Sequence, residues 1–260
     1  MSLQLTRTVA DGIGRVFTRT GAILLAALLA IQLLVQASVN TAFVGLLPSE
    51  AAAEAESMVG LTLPIPGTVA AGLFVFGILL STVYFVTLSR ALTRPRDALS
   101  TFPAELYTRR IGRATVSMFV GGVVVSFSVT LGLALLILPG VFLAACFLFF
   151  IFAVSVEDRG VVGALKRSWA LSRGNRLRLA AVVFFAGAIG AVTGGAGSLL
   201  QLAGTPVVAD LVSVVLNSVL FVVLYGIIAA AYLQVGGEPR KEHGRSGTTH
   251  PLGGAGTPDR

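Results

Sequence analysis

A chain of 260 residues with 55% hydrophobic and 12% charged residues, at a mean hydropathy of +0.89, is too apolar for a water-soluble domain. Its formal net charge of +7 would suit a nucleic-acid binder, but the charges stand in short segments between apolar runs, which excludes that reading. The single cysteine, Cys146, sits inside an apolar run, so neither a disulfide nor a thiolate metal cluster forms within one chain.

The first twenty residues place Leu5, Val9, Ile13, Val16 and Phe17 on one helical face and Arg7, Asp11 and Arg15 on another, the pattern of an interfacial helix. The apolar run that follows, 21–47, is far longer than the roughly 7 to 15 residues of a signal peptide's apolar region, so an uncleaved first span is expected. On it Gln32, Gln36 and Asn40 recur at every fourth position. A second run covers 66–89. From Ala114 to Val156 no residue is charged, which is too long for one span of about 20 residues. The breaker within it is Pro139-Gly140, so spans are expected at 114–138 and 140–156.

GALKRSWALSRGN, Gly163 to Asn175, then interrupts the apolar sequence. Val161, Val162, Leu165 and Trp169 share a face while Lys166, Arg167 and Arg173 point elsewhere, so Trp169 belongs at the headgroups and the cations against lipid phosphates or water. Gly174 reads as a left-handed cap and Asn175 as the start of the next helix. The fifth span, 177–203, carries Gly187, Gly190 and Gly194, a groove where a neighbouring helix can approach or, less simply, a point where the span breaks. Gly204-Thr205-Pro206 turns the chain into a sixth span at 207–235, on which Asp210, Ser213 and Asn217 form a second polar stripe. The tail 236–260, rich in Gly and Pro, is expected to be disordered.

Six spans put all 19 basic residues on one side, against eight acids, while the opposite loops hold only Glu50, Glu54, Glu56 and Asp210. The excess of Lys and Arg expected on the cytoplasmic side therefore places both termini there. Each basic segment precedes a pair of spans, so three copies of surface helix plus hairpin is one reading and coincidence the other.

Leu138-Pro139-Gly140, the aromatic run CFLFFIFAV, the pair Glu157-Asp158 and GALKRSWALSRGN together resemble a group of prokaryotic multi-span membrane proteins related to the membrane domain of glycerophosphoryl diester phosphodiesterases. The N-terminal GIGRVFTRTGAILL resembles that group's opening. The resemblance implies one domain over most of residues 3 to 235. It implies no catalysis, because the phosphodiesterase chemistry of those enzymes resides in a separate soluble barrel.

The residues agree. The spans hold no His, Glu or Lys, and His243 and His250 stand apart in the tail, so no nucleophile–base pair or metal site is expected. Asp210 reads as an interfacial acid before an ion site. The stripes on the first and sixth spans read as packing contacts or, if they face each other, as a candidate polar cleft of Gln32, Gln36, Asn40, Asp210 and Asn217 open to the exterior. The expectation is an all-α polytopic protein of the cell membrane: six transmembrane helices, basic amphipathic interfacial helices, no cofactor and no nucleic-acid partner. It organises or assists at the membrane, contacting anionic lipid through Lys166, Arg167, Trp169 and Arg173. The alternative is a transporter or lipid translocator using the cleft.

Overall fold

The computed structural model describes residues 5–236, and among these no strand occurs. The tail expected to be disordered, with His243 and His250, lies outside the described residues from residue 237 onward. Helix α1 (Leu5–Val16) leads into the first span, α2 (Arg19–Gly45), whose start is capped by the Thr18 hydroxyl accepting from the Gly21 amide. A short acidic helix, α3 (Ser49–Met58), precedes α4 (Gly67–Leu92). A 3-10 turn at Arg96–Ser100 and one turn of helix, α5 (Glu105–Thr108), lead to α6 (Ile111–Leu135). The fourth span is split into α7 (Ile137–Phe147) and α8 (Phe150–Ser155), and α9 (Val161–Ser172) carries the basic Trp motif. Helices α10 (Arg176–Leu202) and α11 (Pro206–Gly236) complete six helices long and apolar enough to cross a membrane.

The hairpin between the third and fourth spans turns at Leu136, three residues before the expected breaker. Leu136 is extended (φ −163°, ψ 149°), and Pro139 falls in the first turn of α7, where an amide hydrogen would have no helical partner anyway. Gly140 serves the packing instead: a Cβ on Gly132 would lie 2.9 Å from the Gly140 Cα, so the two helices meet backbone to backbone. At the turn between α10 and α11, Gly204 takes a left-handed φ of 75° and Pro206 opens α11.

Helix α2 lies along α4 and α11, α6 against α7, and α10 against α7 and α11. The fully buried side chains gather toward the basic end, where Leu24, Leu88, Leu92, Phe149, Phe152 and Leu179 interlock. All six residues of α8 are buried. The glycine groove on α10 is not filled: a Cβ on Gly187, Gly190 or Gly194 would meet no atom within 4 Å, and only Gly197 meets its neighbour, at the Ser213 hydroxyl. Helix α10 is nevertheless unbroken.

The two surface helices present a different face to the bundle from the one their apolar residues mark. In α1 the residues turned inward are Thr8, Gly12 and Arg15, with a Cβ on Gly12 only 2.5 Å from the Ile227 backbone of α11. Val9, Ile13 and Phe17 face outward. In α9 the inward residues are Ala164, Ser168, Leu171 and Ser172, and the Ser168 hydroxyl donates to the Cys146 carbonyl at 2.8 Å. Small and polar residues thus make the closest approaches, with Leu171 buried and Val16 and Leu165 packed against the core, while Val9, Ile13 and Val162 stay exposed. The middle basic segment holds no comparable helix, only the 3-10 turn and α5.

Candidate functional site

Two polar constellations stand at opposite ends of the bundle. At the acidic end the stripes of α2 and α11 do meet. Asp210, 7% exposed, accepts from the Asn40 side-chain amide at 2.9 Å, from the Leu61 backbone amide at 3.0 Å and from Gln36 at 3.5 Å. Gln36 also donates to the Asn40 side-chain oxygen at 3.3 Å, and Asn40 donates to the Leu61 carbonyl at 3.0 Å. The third wall is the linker between α3 and α4. Gly60 lets it approach, since a Cβ there would lie 2.2 Å from a carboxylate oxygen of Asp210. One turn on, the Leu63 amide donates to the Thr41 hydroxyl at 2.7 Å.

The stripes therefore close a joint rather than line an open cleft. Asn217 is exposed and faces a separate small cavity of about 110 Å³ with Gly190 and Phe221, because Ser218 takes the inward position on that turn of α11. Gln32 is half-buried two turns from Asn40 and takes no part in the Asp210 bonds. The linker backbone fills what would have been the cleft. Nothing in the alternation of apolar and polar residues announces that, although Gly60 beside an extended, proline-bounded linker is the signal that remains.

At the basic end Glu157, just past the fourth span, accepts from the Arg167 Nε at 2.9 and 3.1 Å, from the Arg159 Nε at 2.6 Å and from the Tyr232 hydroxyl at 2.8 Å. Burial pushes the Glu157 carboxyl up, but the bonds from Arg167, Tyr232 and Arg159 outweigh it and hold it below the usual carboxylate range. Arg167, expected at the headgroups, is thus half-buried and ion-paired; its place on the face of α9 nearest the α8 end accounts for this. Trp169 is half-buried against Phe142 and Phe147, and the Arg176 guanidinium lies 4.6 Å from its ring. Lys166 and Arg173 are exposed.

Two further arginines work inside the fold. Arg90, 8% exposed, donates to the carbonyls of Ser155 at 2.8 Å, Arg109 at 2.8 Å and Leu106 at 3.3 Å, so it ties the C-terminal ends of α8 and α5 to α4. Asp158, left-handed at φ 53°, pairs with both Arg90 and Arg109. Arg15 donates to the carbonyls of Leu92 at 2.8 Å and Arg94 at 2.7 Å, capping the end of α4 from α1. Burial, then the neighbouring Arg96, lowers its affinity for its proton, and Asp11 partly restores it. Sequence reasoning assigned these cations to topology alone. Their bonding to carbonyls is invisible in a pattern, since any of the nineteen could have been chosen.

The model of a family described as a domain of unknown function, DUF7847, matches residues 3–235. The chain belongs to the DUF7847 family. No curated protein and no solved structure matches it. The DUF7847 match takes in the surface helix α1, both polar constellations and all six candidate spans as one unit. Within the described residues no three of His, Cys, Asp and Glu come together as metal ligands would.

Proposed function

We propose that this DUF7847 protein is a non-enzymatic organising or accessory protein of the cell membrane, with both termini in the cytoplasm and its basic face on anionic headgroups. The observation that carries the reading is a division among the cations. Arg15, Arg90, Arg109, Arg159 and Arg167 are occupied by carbonyls or carboxylates. Arg19, Arg110, Arg113, Lys166 and Arg173 are exposed at the same end without an ion pair among the described residues, and each is worth up to about 1 kcal/mol against an anionic leaflet.

Catalysis has no part in this reading, because Glu157, Asp158 and Asp210 are each engaged by several donors. The resemblance of Leu138 to Arg178 to multi-span proteins related to the membrane domain of glycerophosphoryl diester phosphodiesterases is in keeping with an accessory role, since that domain is not where the chemistry of those enzymes resides. The test is the fluorescence of Trp169, the chain's one tryptophan. In vesicles containing phosphatidylglycerol it should be quenched most by shallow lipid-borne quenchers. Access by aqueous quenchers would make α9 a protein-docking helix and overturn the lipid reading.

A lipid or solute translocator is the second reading, favoured by the buried Asp210 carboxylate where the first and sixth spans meet. That function requires the joint to open. Rapid hydrogen exchange at the Leu61 amide in bilayers would support it, and protection would support the accessory role.

A further inference from the structure

Of the polar residues that stripe α2 and α11, Asn217 alone is exposed. It stands seven residues past Asp210, about 10 Å deeper in the bilayer at 1.5 Å per residue, and its side-chain amide bonds to no group among the described residues. Hydrocarbon offers neither donor nor acceptor, so an amide turned toward it is destabilising unless another helix supplies both.

The surface beside Asn217 is unfilled as well. Helices α10 and α11 close on each other at Gly197 and Ser213, where a Cβ on the glycine would lie 2.5 Å from the serine hydroxyl. About one turn further in along α11 and two along α10, they leave a hollow of about 110 Å³ lined by Ile189, Gly190, Asn217 and Phe221 among others. Gly190 and Asn217 are both exposed, so the hollow opens toward lipid, and a Cβ on Gly190 would meet no atom within 4 Å. Helix α10 is also the least buried of the six candidate spans.

An acyl chain filling that hollow would leave the amide unbonded. A second copy of this chain satisfies it, because an asparagine side chain is donor and acceptor at once: two of them facing across a two-fold axis exchange a pair of hydrogen bonds. The same axis sets the apolar side chains flanking one Asn217, such as the exposed Leu216, against the hollow of the other copy. We infer that the chain pairs with a second copy of itself through the seam of α10 and α11, with the two Asn217 side chains bonded to each other inside the membrane. The interface does not involve the basic face and stands whether or not that face binds anionic lipid.

The full chain, carrying Cys146→Ala and a donor or acceptor dye on the exposed Ser57→Cys, is reconstituted in phosphatidylcholine vesicles over a range of protein-to-lipid ratios. Energy transfer should rise to the plateau of a dimer. Asn217→Leu should raise the density at its midpoint on the order of tenfold, and Asn217→Gln, which keeps an amide, by less. Gly190→Leu, which fills the hollow with Asn217 intact, should raise it too. Because Asn217 bonds to nothing described within its own chain, Asn217→Leu should leave unfolding of the dilute monomer unchanged, which separates lost pairing from lost folding. Oxidation should link copies carrying Leu216→Cys or Leu220→Cys, beside Asn217, faster than copies carrying Phe127→Cys on the outward face of α6. A chain that stays monomeric at every density, as it would if the amide's partner were a different protein, would overturn the pairing. So would a midpoint unmoved by Asn217→Leu or by Gly190→Leu, or linkage no faster at the α11 positions than at Phe127→Cys.

Discussion

Asp210 shows how one side chain fixes a joint between distant parts of the chain. Removing it leaves the Leu61 amide and the Asn40 side chain without an acceptor, so Asp210→Ala should lower stability by about 1 to 3 kcal/mol. Asp210→Asn, which keeps one carbonyl oxygen, should cost less. Gly60→Ala, with Asp210 intact, should approach the alanine variant because its Cβ meets the carboxylate. Reversible denaturant unfolding in bicelles reads all three; equal stability of Asp210→Ala and the unaltered chain would show the joint to be idle. Glu157 makes a prediction about pH. Its carboxyl titrates below the ordinary value of about 4.3, so its stabilising contribution is fully present above that value and is lost as pH falls through the lower, folded value. Melting temperature should therefore fall on the acid side below about pH 4, and Glu157→Gln should be less stable at neutral pH with a shallower acid limb.

Among elements, the buried arginines hold helix ends together. Arg90 joins α4 to the ends of α5 and α8 through three carbonyls, a forked geometry that an ammonium does not reproduce. Arg90→Ala should cost about 1 to 3 kcal/mol because it leaves buried carbonyls without their donor while Asp158 keeps Arg109, and Arg90→Lys should recover only part of the loss. Exposed Arg113→Gln should leave unfolding unchanged, which separates structural cations from those available to lipid. The docking of α1 depends on Gly12. Gly12→Leu should push α1 off α11 and expose the buried Thr8 position, read as faster thiol labelling of Thr8→Cys in a Cys146→Ala background. Unchanged labelling would mean that contacts other than Gly12, such as those of Arg15 and the Asp11–Arg96 pair, hold α1 in place.

At the level of the molecule, the spans were legible because lipid leaves few solutions: a helix about 20 residues long must be apolar throughout, and its cations must stand at its ends. The exceptions are instructive. Pro139-Gly140 looks like a turn because proline usually ends a helix, yet it begins one here. The glycines of α10 look like a contact, yet of them only Gly197 comes against a residue of α11, Ser213. The stripes of α2 and α11 pointed to Gln36, Asn40 and Asp210, but a linker with no periodicity of its own completes that site. Charge patterning separated basic from acidic loops without distinguishing Arg90, buried among carbonyls, from Arg113, which is exposed. Six spans, with the exposed cations on one membrane face and α3 on the other, remain the basis of every functional statement above. Single cysteines at Ser57 and Ser100, both exposed, in a Cys146→Ala background test it most directly with an impermeant thiol reagent. Labelling of Ser57→Cys from outside the cell and of Ser100→Cys only after the inner face is opened is the expected result; labelling of both from the same side would contradict it.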